Sequence, residues 1–262
     1  MAHYLKIFLL FVRNEAQYEM AYRANLAVET LQMLGALGTS IGAVLVLFAY
    51  TNALNGWTLP EMLVLLGVYY LVQGTAEAVF QPSFNEMMEQ VRLGTLDFTL
   101  LKPANSQFLV SVRRLTLVQI AQILLGFAVM VIGLGRLGQA IIPLNALSFL
   151  VVLGCGLILV YSILLILATT SFWFVKVDNI MVIFWAFTDA GRFPVDVYPG
   201  WLRITLTTVV PIGLAVTVPA EAIAGRLPPG TLFATIFGTI LVFLFASWFW
   251  RQGLKSYTGA SA

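Results

Sequence analysis

The 262-residue chain contains one cysteine, Cys155, and one histidine, His3. No disulfide can form within it, and one residue of each kind argues against a Cys/His zinc site or a Cys–His catalytic pair. No metal site is expected. None of its 21 glycines is followed by lysine, so the G-x-x-x-x-G-K-[ST] loop that cradles nucleotide phosphates is missing. Charge is scarce as well. Only 10% of the residues are Asp, Glu, Lys or Arg, against about 25% in soluble domains. With a net charge of +2 and no dense basic run, a phosphate-binding stripe for nucleic acid is excluded. What is abundant is apolar: 60% of the residues are hydrophobic, and the mean hydropathy is +0.92. The solvent for most of this chain is therefore lipid, and the expected class is an all-α integral membrane protein.

Six transmembrane helices are expected, over residues 31–50, 62–80, 108–132 and 144–174, from Ile180 onward, and over 232–250. Most match the roughly 20 residues that cross the hydrocarbon core. Before them, residues 1–24 read as an interfacial helix rather than a signal peptide. Tyr4, Leu5, Phe8, Leu9 and Val12 would face lipid, and Lys6, Arg13 and Glu15 water. Gly38 and Gly42 have the GxxxG spacing that permits close helix approach. Pro60 and Glu61 suit a first helical turn, where a missing N–H is harmless and a carboxylate meets the positive dipole end. Lys176, Asp178 and Asn179 make a tight polar turn ahead of the fifth span. That span soon meets Asp189, Gly191, Arg192 and Pro194, after only about 20 Å of helix. Residues 193–229 then carry Pro194, Pro199, Pro211 and Pro219. Proline breaks the helical hydrogen-bond ladder, so two short re-entrant helices fit this region better than one span. Trp248, Phe249 and Trp250 close the last span as an aromatic belt.

With both termini in the cytoplasm, six spans place ten of the fourteen Lys and Arg residues inside and only Arg136, Arg192, Arg203 and Arg226 outside. Residues 83–107 then form a cytoplasmic connector, and 193–229 an extracytoplasmic region. The connector opens as a short amphipathic helix. Ser83 and Glu86 have capping-box spacing, Phe84, Met87, Met88 and Val91 make one apolar stripe, and Gly94 stands at the C-cap. Such a stripe can lie in a groove on a soluble partner or rest on the chain's own spans. Glu29 and Glu77 are the carboxylates nearest membrane depth. They could pair with Arg23, Arg92, Arg113 or Arg114 across a gate, or simply reach the interface or bond a neighbour. Asp189 and Arg192 suggest a local ion pair, and Gln73, Gln119 and Gln122 hydrogen bonds between helices.

The sequence Gly94–Pro103, GTLDFTLLKP, resembles the G-x-L-D-x-x-L-x-K-P connector of permeases in type-2 ATP-binding cassette exporters, specifically the six-span bacterial branch. The pattern is met by Gly94, Leu96, Asp97, Leu100 or Leu101, Lys102 and Pro103. The segment from Arg192 through Pro194, Pro199 and Pro211 to Pro219 is similar to the family's region before the last span. The resemblance implies a non-catalytic permease subunit, one domain over residues 1–262, in the bacterial cytoplasmic (inner) membrane. It would pair with a second permease, identical or related, and dock separate ATPase subunits through the N-terminal helix and the connector. ATP and Mg would belong to that ATPase, and this chain would bind no cofactor. A secondary transporter or channel is the alternative, but no internal repeat is visible. A membrane enzyme would need a cluster of His, Asp, Glu or Cys that the chain does not supply. The transported substrate is not legible.

Overall fold

The computed structural model describes residues 2–21, 23–138, 142–174 and 178–257, and every extended element among them is a helix. Among the described residues, five helices are long and apolar enough to cross a membrane. They are α2 (Arg23–Tyr50), a continuous helix made of α3 (Leu59–Thr75) and α4 (Gln81–Arg92), α7 (Gln119–Leu137), α8 (Pro143–Thr169) and α12 (Pro229–Ser256). A sixth is counted only if the pair Gly200–Val209 and Gly213–Ile223, bent by 77°, is taken as one span. The first helix, α1 (Ala2–Ala21), precedes them. Shorter pieces are α5 (Asp97–Leu100), α6 (Ser106–Val112), α9 (Asp178–Asp189), α10 (Gly200–Ile204) and α11 (Val218–Ile223). The side chains of Tyr4 and Leu5 and the turn residue Lys176 lie outside the described part.

The start of α3 follows the expected chemistry. Glu61 accepts from both the backbone N–H and the hydroxyl of Thr58 (2.8 Å each), and Pro60 occupies the first turn. Its other end departs from expectation. Ser83 does not begin a new helix, because the second span runs without interruption from Leu59 to Arg92, 34 residues or about 51 Å. Pro82 is accommodated by a π-turn at Ala76–Phe80, in which the Gln81 N–H reaches back to the Ala76 carbonyl. Proline also removes the donor for the carbonyl four residues earlier. That carbonyl, Ala78, accepts instead from the Thr116 N–H (2.8 Å). The same device recurs at Thr205–Val209 before Pro211 and at Gly213–Thr217 before Pro219.

The expected third span is likewise corrected. It is two helices, α6 and α7, separated by residues 113–118, because that segment's backbone groups bond to α4 and α1 rather than continuing a helix. The fifth expected span is α9, 12 residues or about 18 Å, continued by a 3-10 turn at Ala190–Arg192.

Packing is tightest between α3 and α7, where glycines replace side chains. A Cβ at Gly67 would lie 2.5 Å from the Met130 nitrogen, and one at Gly126 would lie 2.9 Å from the Gly67 carbonyl oxygen. One turn-pair away, Gly74 meets Ile123 and Gly133 meets Val64. Gly38 and Gly42, by contrast, face open space, so their spacing makes no helix contact among the described residues. Outward faces carry lipid-compatible side chains such as Leu124, Leu147, Phe237 and Phe245. The aromatic belt is partial. Trp248 is exposed, but Trp250 is buried beside Phe172, 5.6 Å between ring centroids.

At the Leu59 end of the bundle, the bent pair is two short helices rather than one straight span, as its prolines lead one to expect. Its first limb exposes Trp201 and Ile204, while its second limb is buried, with Ala215 against Gly156 of α8. Pro194 and Pro199 flank the 3-10 turn Val195–Val197, Pro211 lies at the bend, and Pro219 opens α11. Arg226 ties this region to α3 by an ion pair with Glu61 (3.0 Å) and by stacking over Trp57 (4.8 Å).

Candidate functional site

The connector lies at the opposite end of α3–α4 from Thr58. The helix stops as expected at Gly94, whose φ of +68° favours glycine. The Thr95 N–H bonds to the Gln90 carbonyl (2.9 Å) and the Gly94 N–H to the Val91 carbonyl (3.2 Å), a Schellman closure. Leu96 is then buried, Asp97 opens the single turn α5, and Thr99 points inward. Of the two leucines that could complete the connector pattern, Leu100 packs on the core and Leu101 faces out.

The apolar stripe does not face outward. Phe84, Met87 and Met88 are 0%, 1% and 7% exposed, and Val91 is half-buried against the same core. Phe84 packs 5.7 Å from the Tyr161 ring of α8. The stripe anchors α4 to its own bundle, so the expectation that it docks a partner is corrected. What the connector presents outward is a different set: Leu93, Phe98 and Leu101, 59%, 73% and 82% exposed, with Lys102 and Pro103 exposed beside them.

Beneath that patch a polar network locks the connector to the break between α6 and α7. The Ser83 hydroxyl donates to the Arg114 carbonyl (2.6 Å) and accepts from the Arg114 N–H (3.1 Å). Glu86 pairs with Arg114 (3.5 Å) and Arg113 (3.8 Å), and accepts from Gln90. Gln90 in turn accepts from the Thr99 hydroxyl (3.0 Å), to which Arg113 also donates. Residues far apart in the chain meet here: sequence marks Arg113 and Arg114 as gate candidates and Ser83 and Glu86 as a helix cap, while Gln90 and Thr99 carry no such signal. Ser83→Ala is expected to leave a buried N–H and carbonyl short of partners, costing about 1–3 kcal/mol. Thermal unfolding of the purified chain would measure this.

Helix α1 joins the network through Glu19, which accepts from the Leu117 N–H (2.6 Å), and through Glu15, 4.0 Å from Arg114. Burial, more than the neighbouring Glu15 and Glu29 charges, pushes the Glu19 carboxyl above its usual range, while its backbone hydrogen bonds pull it down. A raised folded pKa gives stability that is complete below the unfolded value, near 4.5, and is lost as pH rises through the folded one. Attachment of α1 is therefore expected to tighten on mild acidification. Protease protection of α1 should rise from pH 7 to pH 5, and Glu19→Gln should flatten that dependence.

The gate pairing of Glu29 and Glu77 with Arg113 and Arg114 is not formed. Both arginines are held by Glu86, Glu15 and Thr99, while Glu29 accepts from Asn25 and Glu77 from Gln73 (2.8 Å). Gln73 thus bonds along its own helix rather than between helices, and its Oε1, like that of Gln119, is buried without a hydrogen-bond partner. Asp189 and Arg192 do form the expected local ion pair (2.8 Å), shared with the Tyr69 hydroxyl. Among the described residues no group of three His, Cys, Asp or Glu is placed to hold a metal ion.

A bundle of apolar helices, with one span prolonged into an arm that ends in an exposed apolar turn, defines a multi-pass membrane subunit. A family model described as "ABC-2 family transporter protein" matches residues 34–261, and the chain belongs to that family: it is a membrane permease of an ABC transporter. No curated protein and no solved structure matches it significantly.

Proposed function

We propose that this permease works in an ATP-driven exporter, in which two permease subunits, identical or related, form the translocation path and separate ATPase subunits bind ATP and Mg. The observation that carries this reading is the continuity of Leu59–Arg92. Force applied at the connector would be transmitted along one helix into the membrane, without a hinge at its boundary. The contact would be Leu93, Phe98 and Leu101, flanked by Lys102 and the exposed Glu89–Arg92 pair. Asp97 and Gly94 shape that turn, and Phe84, Met87 and Met88 hold it to the bundle. This orientation places both termini and the connector in the cytoplasm of a bacterial inner membrane, as the lysine and arginine distribution favours. The re-entrant region would then face outward, over the exit. The test is purification of the tagged chain from the cells that encode it: an ATPase subunit should co-purify, and the assembly should hydrolyse ATP. Recovery of the permease without any ATPase would overturn the reading.

A further inference from the structure

The Asp189–Arg192 ion pair (2.8 Å) lies at membrane depth, and three separate helices give the same level for it. Its partner Tyr69, 3.0 Å from Asp189, is ten residues into α3, about 15 Å from the Leu59 end. The adjacent Tyr70 bonds to Ser40 of α2 (2.9 Å), itself ten residues or about 15 Å from Tyr50. The bend of the proline-broken pair descends to this level too. Ile212 there is the neighbour of Gly191, and Ala215 meets Gly156, about 20 Å along α8 from Pro143. In a hydrocarbon core of roughly 30 Å, the pair stands well inside.

The pair is nonetheless open to its surroundings. The Asp189 side chain is 56% exposed and that of Arg192 36%. Ionised side chains at this depth face the interior of a bundle or a water-filled cavity, not lipid. Arg192 also has donors to spare. Its Nε reaches the Tyr69 hydroxyl (3.4 Å) and its Nη2 Asp189, while Nη1 has no hydrogen-bond partner among the described residues. A cleft of about 270 Å³ opens beside the guanidinium, with Leu66 of α3 on one wall and Thr39, Ser40 and Ala43 of α2 on the other. That α2 wall is small or hydroxyl-bearing, and Gly38 and Gly42 near it face open space. The outward faces of α8 and α12 carry bulky apolar side chains instead, among them Leu147, Leu150, Phe237 and Phe245. Small polar groups around an open ion pair suit water, and the bulky faces suit lipid.

We infer that Asp189 and Arg192, with the α2 wall at Thr39 and Ala43, line a water-filled stretch of the translocation path. Arg192 Nη1 is there to meet hydrogen-bond acceptors, hydroxyl or anionic, on passing cargo. That the water belongs to a translocation path rests on the exporter reading; the presence of water at this face does not.

The test uses the full chain in cell membranes, with Cys155→Ala and one new cysteine. Ala43→Cys lies on the cleft, and Leu150→Cys is the control. Both positions are exposed, and each is seven residues or about 10 Å from the Tyr50 or Pro143 end of its helix. Thiols react as thiolates, which an apolar environment suppresses. A membrane-impermeant trimethylammonium methanethiosulfonate should therefore label Ala43→Cys at least ~10-fold faster than Leu150→Cys. Charge gives the second readout, taken against the anionic sulfonate reagent. Arg192→Gln leaves Asp189 unbalanced and should shift labelling of Ala43→Cys several-fold toward the cationic reagent; Asp189→Asn should shift it toward the anionic one. Equal labelling of the two positions would overturn the inference, as would a reagent preference indifferent to both charge variants. Thr39→Cys, one turn along the same wall, takes the place of Ala43→Cys should that variant not fold. If neither charge variant folds, the comparison of cleft and control positions decides alone. No ATPase takes part, so recovery of the permease without one overturns the exporter reading and leaves this measurement standing.

Discussion

Phe98→Asp combined with Leu101→Asp is expected to abolish ATPase recruitment while leaving the permease folded. Both side chains stand out of the connector turn, 73% and 82% exposed, and neither contributes to the core. Replacing them costs the isolated chain little, since surface substitutions usually change stability by less than about 0.5 kcal/mol. A charge in the apolar centre of an interface is different. Anchors of that kind are worth about 2 kcal/mol or more each, so the double variant should reduce co-purified ATPase to background. Met87→Asp makes the informative contrast. Met87 is 1% exposed, and an unpaired carboxylate there would damage the bundle itself. The first variant should keep its melting temperature and lose its partner; the second should lose the melting temperature. An ATPase retained by the Phe98/Leu101 variant would place the contact elsewhere on the chain.

Gly67→Leu is expected to be the most damaging single substitution in the membrane region. Even alanine's Cβ would come within 2.5 Å of the Met130 nitrogen and 2.7 Å of the Gly126 carbonyl oxygen. Both are backbone atoms that cannot rotate away, so α3 and α7 must separate. Overpacking of this kind costs about 1–3 kcal/mol, and leucine should exceed alanine. The consequence reaches beyond stability. Helix α3 continues into the connector, and α7 begins at the break where Ser83, Glu86 and Glu19 hold the arm. Forcing the two apart should also loosen that node. Gly154→Ala in α8 is the control. Its Cβ would meet nothing within 4 Å, and the gain in helix propensity, about 0.5–1 kcal/mol, should leave it neutral or slightly stabilised. Thermal unfolding in one detergent, with the three variants side by side, checks the order.

Some of this was set by sequence alone. An apolar chain with few charges has to place long helices in lipid, whatever its packing. A glycine is needed where Gly94 reverses the chain at φ +68°, and Pro60 with Glu61 must open a helix. The GTLDFTLLKP pattern and the proline-broken region pointed to the family that the match over residues 34–261 establishes. Other features depended on which surfaces meet. A stripe of Phe84, Met87, Met88 and Val91 is equally suited to a partner's groove or to α8, since hydrophobic periodicity records a buried face without naming its neighbour. Pro82 signals a break only while the Ala78 carbonyl has no other donor. Thr116, 38 residues later, supplies one, so the arm stays continuous. Ser83 reads as a cap from its spacing to Glu86, yet its hydroxyl serves Arg114 instead. Local pattern set where helices could form and end. Long-range hydrogen bonds decided which ends became breaks, and which apolar side chains were left to face a partner.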